Sequence, residues 1–241
     1  MASWITHTMI ADLLFERYSD LDERGFCVGN IAPDCNMPNS DWSAFIPSRE
    51  ITHFMDGEDK LSARYDVFFD TYIKDRAFIN HEEYSFLLGY YAHLITDVEY
   101  LRFCRDSEQL HRMFERIRKH PSMAEKIKGK DENFTSLKDA FGKNGVFSDI
   151  FAMENAYLQK YPNCSYNRIL RNVRDFPDYL DFFPQNYYGE KITAMLASYD
   201  KRKITKGSRG YFFQKSEYEN YLLHTTEIIF EKLEQNLTIL V

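Results

Sequence analysis

Tyr84-Ser85-Phe86-Leu87-Leu88-Gly89-Tyr90-Tyr91-Ala92-His93-Leu94-Ile95-Thr96 is a run of thirteen residues without a formal charge. A bilayer-spanning helix needs about 20 apolar residues, so this run is too short to cross a membrane. It is apolar on nearly every face of a helix, and it predicts a central helix over roughly 82–105, buried on most sides.

Outward from that helix the same period recurs. Ile10, Leu13, Leu14 and Phe15 predict a first helix over about 7–18, with His7 on the stripe of Ile10 and Leu14. Leu61, Tyr65, Phe68, Phe69 and Tyr72 predict another over about 58–75. Further helices are expected over about 107–119, 146–160, 166–180, 186–200 and 215–236, and alternating strand patterns are almost absent. The fold class is therefore all-α. Between about 20 and 47 the period vanishes and Gly, Asn, Pro and Asp accumulate, which predicts a long ordered loop. Cys27, Ile31, Met37, Trp42, Phe45 and Ile46 make that loop too apolar for disorder, and a functional role is the better reading.

The 241 residues include 17 tyrosines and 20 phenylalanines, enough for one large core, and no linker or repeat divides them. A single domain over 1–241 is expected. The first residues lack the basic start, apolar stretch and cleavage site of a secretory signal, which makes the cytoplasm the expected compartment. Cys27, Cys35, Cys104 and Cys164 form no C-x-x-C pair and read as reduced core thiols. A net charge of −7 argues against a nucleic-acid partner, because binding phosphates takes a basic face. The basic runs Arg116 to His120, Lys126 to Lys130 and Lys201 to Lys203 read as solvated helix ends or loops.

His93 and Asp97 lie four residues apart on the apolar central helix, so their side chains emerge on one face. An ionised carboxylate buried there without a partner would cost several kcal/mol, and something must compensate it. A metal cation is one compensator; a neutral histidine hydrogen-bonded to Asp97 is the other. His7, Asp34 of the Gly29 to Asp34 loop, and His53 complete a candidate ligand set. Nitrogen and carboxylate donors without thiolates suit zinc before iron or manganese, and Asp97 could bridge two ions.

The order of His7, the Gly29-Asn30-Ile31-Ala32-Pro33-Asp34 loop, His53, and the Gly89-Tyr90-Tyr91-Ala92-His93-Leu94-Ile95-Thr96-Asp97 helix resembles the zinc-dependent phospholipase C family. That superfamily also includes fungal single-strand-specific nucleases. The resemblance covers about the first hundred residues. It implies that Asp34, His53, His93 and Asp97 bind one ion, and that His7 with a bridging Asp97 binds a second. The family's N-terminal Trp has only an imperfect counterpart in Trp4. A third ion would need further ligands, for which the chain offers His111 with Glu115, Asp149 with Glu154, or His224 with Glu227; each pair also reads as an ordinary helix face.

On that resemblance the chain is expected to be a hydrolase of phosphate esters, holding two or three zinc ions, with Asp34 as metal ligand or general base. The substrate is then a lipid or small-molecule phosphate ester, a phospholipid head group being the family-level expectation. No His-Asp dipeptide is present, which sets aside the other helical metal-dependent phosphohydrolases. The non-enzymatic alternative is a helical binding protein in which the same five residues form a polar core or hold a structural ion.

Overall fold

The computed structural model describes residues 2–41, 43–57, 59–201 and 208–237, so Trp42, Glu58, Arg202 and Lys203 of the expectations above lie outside the described residues. The described chain is all-α, with a single two-residue strand pair, Met37–Pro38 against Phe45–Ile46. Its helices are α1 (Trp4–Phe15), α2 (Glu23–Gly29), α3 (Arg49–Thr52), α4 (Tyr65–Tyr72), α5 (His81–Arg105), α6 (Ser107–Arg118), α7 (Pro121–Ile127), α8 (Phe134–Phe141), α9 (Lys143–Val146), α10 (Ser148–Lys160), α11 (Ser165–Arg168), α12 (Tyr187–Asp200) and α13 (Lys215–Leu237).

Helix α5 is the axle of the fold. Asn80 caps its start by accepting from the Glu83 N–H at 2.8 Å, Glu82 and Glu83 occupy the positive end of the helix dipole, and Arg102 and Arg105 the negative end. Between them the helix is buried almost without interruption from Ser85 to Tyr100, and it packs against α1, α2, α4, α6 and α13. One cluster of buried apolar side chains runs from Ala2 to Leu233 around it.

The stretch over 20–47 corrects the expectation of a continuous loop. It contains α2, capped by Asp22 through the Gly25 N–H at 2.6 Å, and a 3₁₀ turn over Ala32–Cys35. Two glycines masked this helix, since glycine is a poor helix former. Their role is close approach: a Cβ on Gly29 would lie 1.9 Å from the Phe86 carbonyl oxygen, and one on Gly89 would lie 2.1 Å from that of Phe26. Each helix thus gives up a side chain where the other's backbone passes.

Elsewhere the expected boundaries shift. The helix expected over about 166–180 stops at Arg168 and continues only as a 3₁₀ turn over Leu170–Asn172; Pro177 and the constraint it puts on Phe176 disfavour helix beyond. The helix expected over about 58–75 is a 3₁₀ turn over Lys60–Ser62 followed by α4. The short α7 and α8 had no legible period. Arg116 is not a solvated helix end: it is half-buried, bonded to Glu217 and to the carbonyls of Tyr211 and Phe212.

Candidate metal centre

His7, Asp34, His53, His93 and Asp97 come from four separate segments, and the fold brings all five together. Ser3 caps α1 by accepting from the Thr6 N–H at 3.1 Å, which places His7 one turn into the helix. Its ring stacks on that of His93 with centroids 4.0 Å apart. Pro33 favours the tight turn that carries Asp34, closed by the Asp34 N–H to the Ile31 carbonyl at 3.1 Å. His53 caps the C-terminus of α3, and the α3 end is held by Tyr90, whose hydroxyl donates to the Thr52 carbonyl while its ring stacks on Phe68 at 4.5 Å.

The protonation of the cluster follows from its partners. His93 Nδ1–H donates to the Asn30 carbonyl at 2.9 Å, a group that only accepts, and this turns Nε2 towards the cluster. The Gly29–Gly89 contact sets that carbonyl in place, and the Asn30 amide donates to the His7 carbonyl at 2.8 Å, tying α1 to the same point. Burial above all pushes His7 well below its ordinary pKa. Burial and then Lys60 push His53 down to about 4. Burial pushes the Asp34 and Asp97 carboxyls up, but opposing interactions, the Lys60 ammonium first among them, outweigh it and hold both well below the usual carboxylate range. Neutral imidazoles facing ionised carboxylates are the states in which these groups ligate a cation.

Spacing agrees with that chemistry. His53 Nε2 lies 3.3 Å from Asp34 Oδ1, 3.3 Å from His93 Nε2 and 3.6 Å from Asp97 Oδ2, and His93 Nε2 lies 3.5 Å from Asp97 Oδ2. Zinc bonds of about 2.0–2.2 Å in a tetrahedron set ligand atoms roughly 3.4 Å apart. His7, Asp34 and His93 offer a second triad whose atoms all lie within 4.8 Å of one another. Both His7 ring nitrogens are buried and make no hydrogen bond among the described residues, although Asp97 Oδ1 stands 3.8 Å from Nε2.

Lys60 is the participant the sequence did not announce. Its buried ammonium donates to Asp97 Oδ2, lies 2.7 Å from His53 Nε2 and stands 3.6 Å from Asp34 Oδ1. It is a built-in cation among three of the ligand atoms, partly offsetting two carboxylates, and an ion bound to the same atoms would have to displace it. No spacing rule singles out Lys60, which sits at the start of an expected amphipathic helix.

Trp4 does not take the place the resemblance would give its backbone nitrogen: that N–H donates to the Tyr199 hydroxyl at 3.1 Å, and the backbone nitrogen that reaches the cluster is that of Ala2, 3.1 Å from Asp97 Oδ1. The pairs considered for a third ion lie outside both triads. His111 and Glu115 are exposed and pair with Glu132 and Arg118. Asp149 is buried as a loop clamp, accepting from the N–H groups of Arg209, Gly210 and Phe212 at 2.8–2.9 Å. Glu154 is also buried, accepting from Thr6 Oγ1 at 2.7 Å and from Ser3 Oγ. His224 and Glu227 are exposed on α13.

Of the five clustered residues, four are at most 1% exposed, while the Asp34 side chain is 11% exposed and lines a cavity of about 400 Å³. Asp34 is thus the point at which the cluster meets an approaching molecule. No helix among the described residues is long and apolar enough to cross a membrane, and all four cysteines are buried free thiols. No protein-family model matches the chain, and neither a curated protein nor a solved structure does.

Proposed function

We propose that this chain is a metal-dependent hydrolase of phosphate esters, akin to the zinc-dependent phospholipases C, in which His7, Asp34, His53, His93 and Asp97 hold zinc or a similar divalent ion. The observation that carries this reading is the convergence of acceptors. His53 Nε2 lies 3.3–3.6 Å from Asp34 Oδ1, His93 Nε2 and Asp97 Oδ2, and His93 Nε2 lies 3.5 Å from Asp97 Oδ2, the separations that a tetrahedral divalent ion sets between its ligand atoms. A divalent ion there would acidify water and offset charge on the phosphoryl oxygens.

The protein's own groups do the rest. The Asn30 carbonyl fixes the His93 tautomer, Tyr90 and Thr52 fix the α3 end that carries His53, and burial keeps bulk water from all but Asp34. Asp34 is the carboxylate positioned to bind the ion or to take a proton from the attacking water. The reading includes a cytoplasmic, reducing compartment, supported by the four free thiols. Elemental analysis tests the core claim: bound zinc in the purified protein, lost together with phosphate-ester hydrolysis in His53→Ala/His93→Ala, is the expected result. A folded wild type with no metal and no turnover on a panel of phosphate mono- and diesters would sink it.

Lys60 favours a second reading, a closed polar core in a helical binding protein, because its ammonium already neutralises part of the cluster's charge. Lys60→Met separates the two. Removing one partner of a buried ion pair costs about 3–5 kcal/mol; in a metal centre, added zinc restores that stability and binds more tightly than to wild type, whereas in a closed core zinc restores nothing.

A further inference from the structure

The walls of the cavity beside Asp34 are built by the segments that supply the ligands. Asn36 follows Asp34 on the 3₁₀ turn, Arg49 opens the short helix that ends at His53, and Ala2 to Trp4 lead into the helix of His7. A molecule held in the cavity is therefore held against the cluster.

The charge of those walls runs against that of the chain. The protein carries a net charge of −7, yet Arg49, Lys143 and Lys191 line this one cavity, and none of the three forms an ion pair among the described residues. Lys191 reaches in from α12, half-buried, and donates to the Asn36 carbonyl at 2.6 Å; Arg49 lies over the Phe45 ring at 4.7 Å; Lys143 stands exposed at the start of α9. Two carboxylates also line the cavity, and both are engaged: Asp34 by His53 and Lys60, Glu154 by Ser3 and Thr6. Unpaired cations around a concave, partly apolar site attract and orient anions, and arginine and lysine suit phosphate oxygens. Aromatic faces, which by themselves would suit a quaternary ammonium, share these walls with three like charges that repel one. Phe45, Phe147 and Phe151 provide the apolar part of the wall, suited to a flat organic group.

Resting on the hydrolase reading above, we propose that this cavity is the substrate pocket, and that Arg49, Lys143 and Lys191 make it select dianionic phosphomonoesters of aromatic or similarly flat groups over choline-bearing diesters. Calorimetric titration of the zinc-supplemented full chain with phenyl phosphate and with glycerophosphocholine, a choline-bearing diester, tests the proposal. The expected result is that phenyl phosphate binds at least tenfold tighter, that its binding weakens as salt is raised, and that Arg49→Met/Lys191→Met loses at least tenfold while its metal content stays at the wild-type value. Should that double variant fail to fold, the exposed Lys143→Met takes its place, with a weakening of at least threefold expected.

Tighter binding of glycerophosphocholine, or phenyl phosphate affinity unchanged in the folded variants, overturns the proposal and leaves the metal centre intact. Binding to phosphatidylcholine vesicles doped with phosphatidic acid, with none to phenyl phosphate, overturns it in favour of a lipid phosphomonoester. If the wild type holds no metal, the hydrolase reading fails by itself. Phenyl phosphate binding that still depends on the three cations then keeps the anion pocket, and its absence removes that too.

Discussion

Helices α5 and α6 follow one another in the chain, separated by Asp106, and each carries a histidine four residues ahead of a carboxylate. His93 and Asp97 on α5 are 0% and 1% exposed and face three further polar side chains from other segments and Lys60. His111 and Glu115 on α6 are 62% and 50% exposed, and each turns to a different surface partner, Glu132 for the histidine and Arg118 for the glutamate. Spacing is the same and chemistry is not. An i, i+4 pair brings two side chains to one face of a helix; it becomes a site only where the surroundings remove water and supply the remaining ligands.

Removing one carboxylate from each helix should separate the two pairs most clearly. Asp97→Asn leaves the Lys60 ammonium buried with only Asp34 opposite, and a loss of about 3–5 kcal/mol in the metal-free protein is expected, together with a fall in bound zinc of more than one ion if Asp97 bridges two. Glu115→Gln on α6 should change stability by less than about 0.5 kcal/mol, as surface pairs do. Chemical denaturation and elemental analysis of both variants read this directly; equal losses would mean that the cluster is no more than an ordinary ion pair.

Acidity sharpens the contrast without any substitution. The folded state holds His53 near pH 4, against an ordinary value of 6.5, so between those pH values the unfolded chain binds more protons and stability rises with pH. The contribution is fully present above about pH 6.5 and lost as pH falls towards 4, worth about 3 kcal/mol for His53, and His7 is shifted in the same direction. Thermal melts of metal-free protein from pH 7 to pH 4 should show the drop, and His53→Phe should flatten it. A melt curve that is level over that range would contradict neutral, buried imidazoles.

The smallest expected effect tests how the two-helix frame holds the site. Gly89→Ala places a methyl group 2.1 Å from the Phe26 carbonyl oxygen, so α2 must move away from α5 and carry the Asn30 carbonyl with it. Overpacking of this kind costs about 1–3 kcal/mol, and zinc affinity should fall further than that of an equally destabilised variant distant from the site. The measurement is zinc affinity set against melting temperature across such a pair.

Sequence alone was enough for the class of fold and for nominating His7, Asp34, His53, His93 and Asp97 as candidate ligands. A thirteen-residue uncharged run at helical period has few places to go except the centre of an all-α protein, and His93 and Asp97 are inseparable on any helix. The sequence also placed α6, α10, α12 and α13 to within a few residues, because their polar and apolar faces alternate with the helical period. It hid α2, because Gly25 and Gly29 read as loop when their role is to let two backbones touch. It overran α11, which stops at Arg168 and gives way to a 3₁₀ turn over Leu170–Asn172 well before Pro177. It took the folded chain to show that His7, Asp34 and His53 reach His93 and Asp97, that His111 with Glu115 and Asp149 do not, and that Lys60 joins them. Burial and long-range contact are properties of neighbours brought in from elsewhere in the chain, and local period carries no record of which neighbours those are.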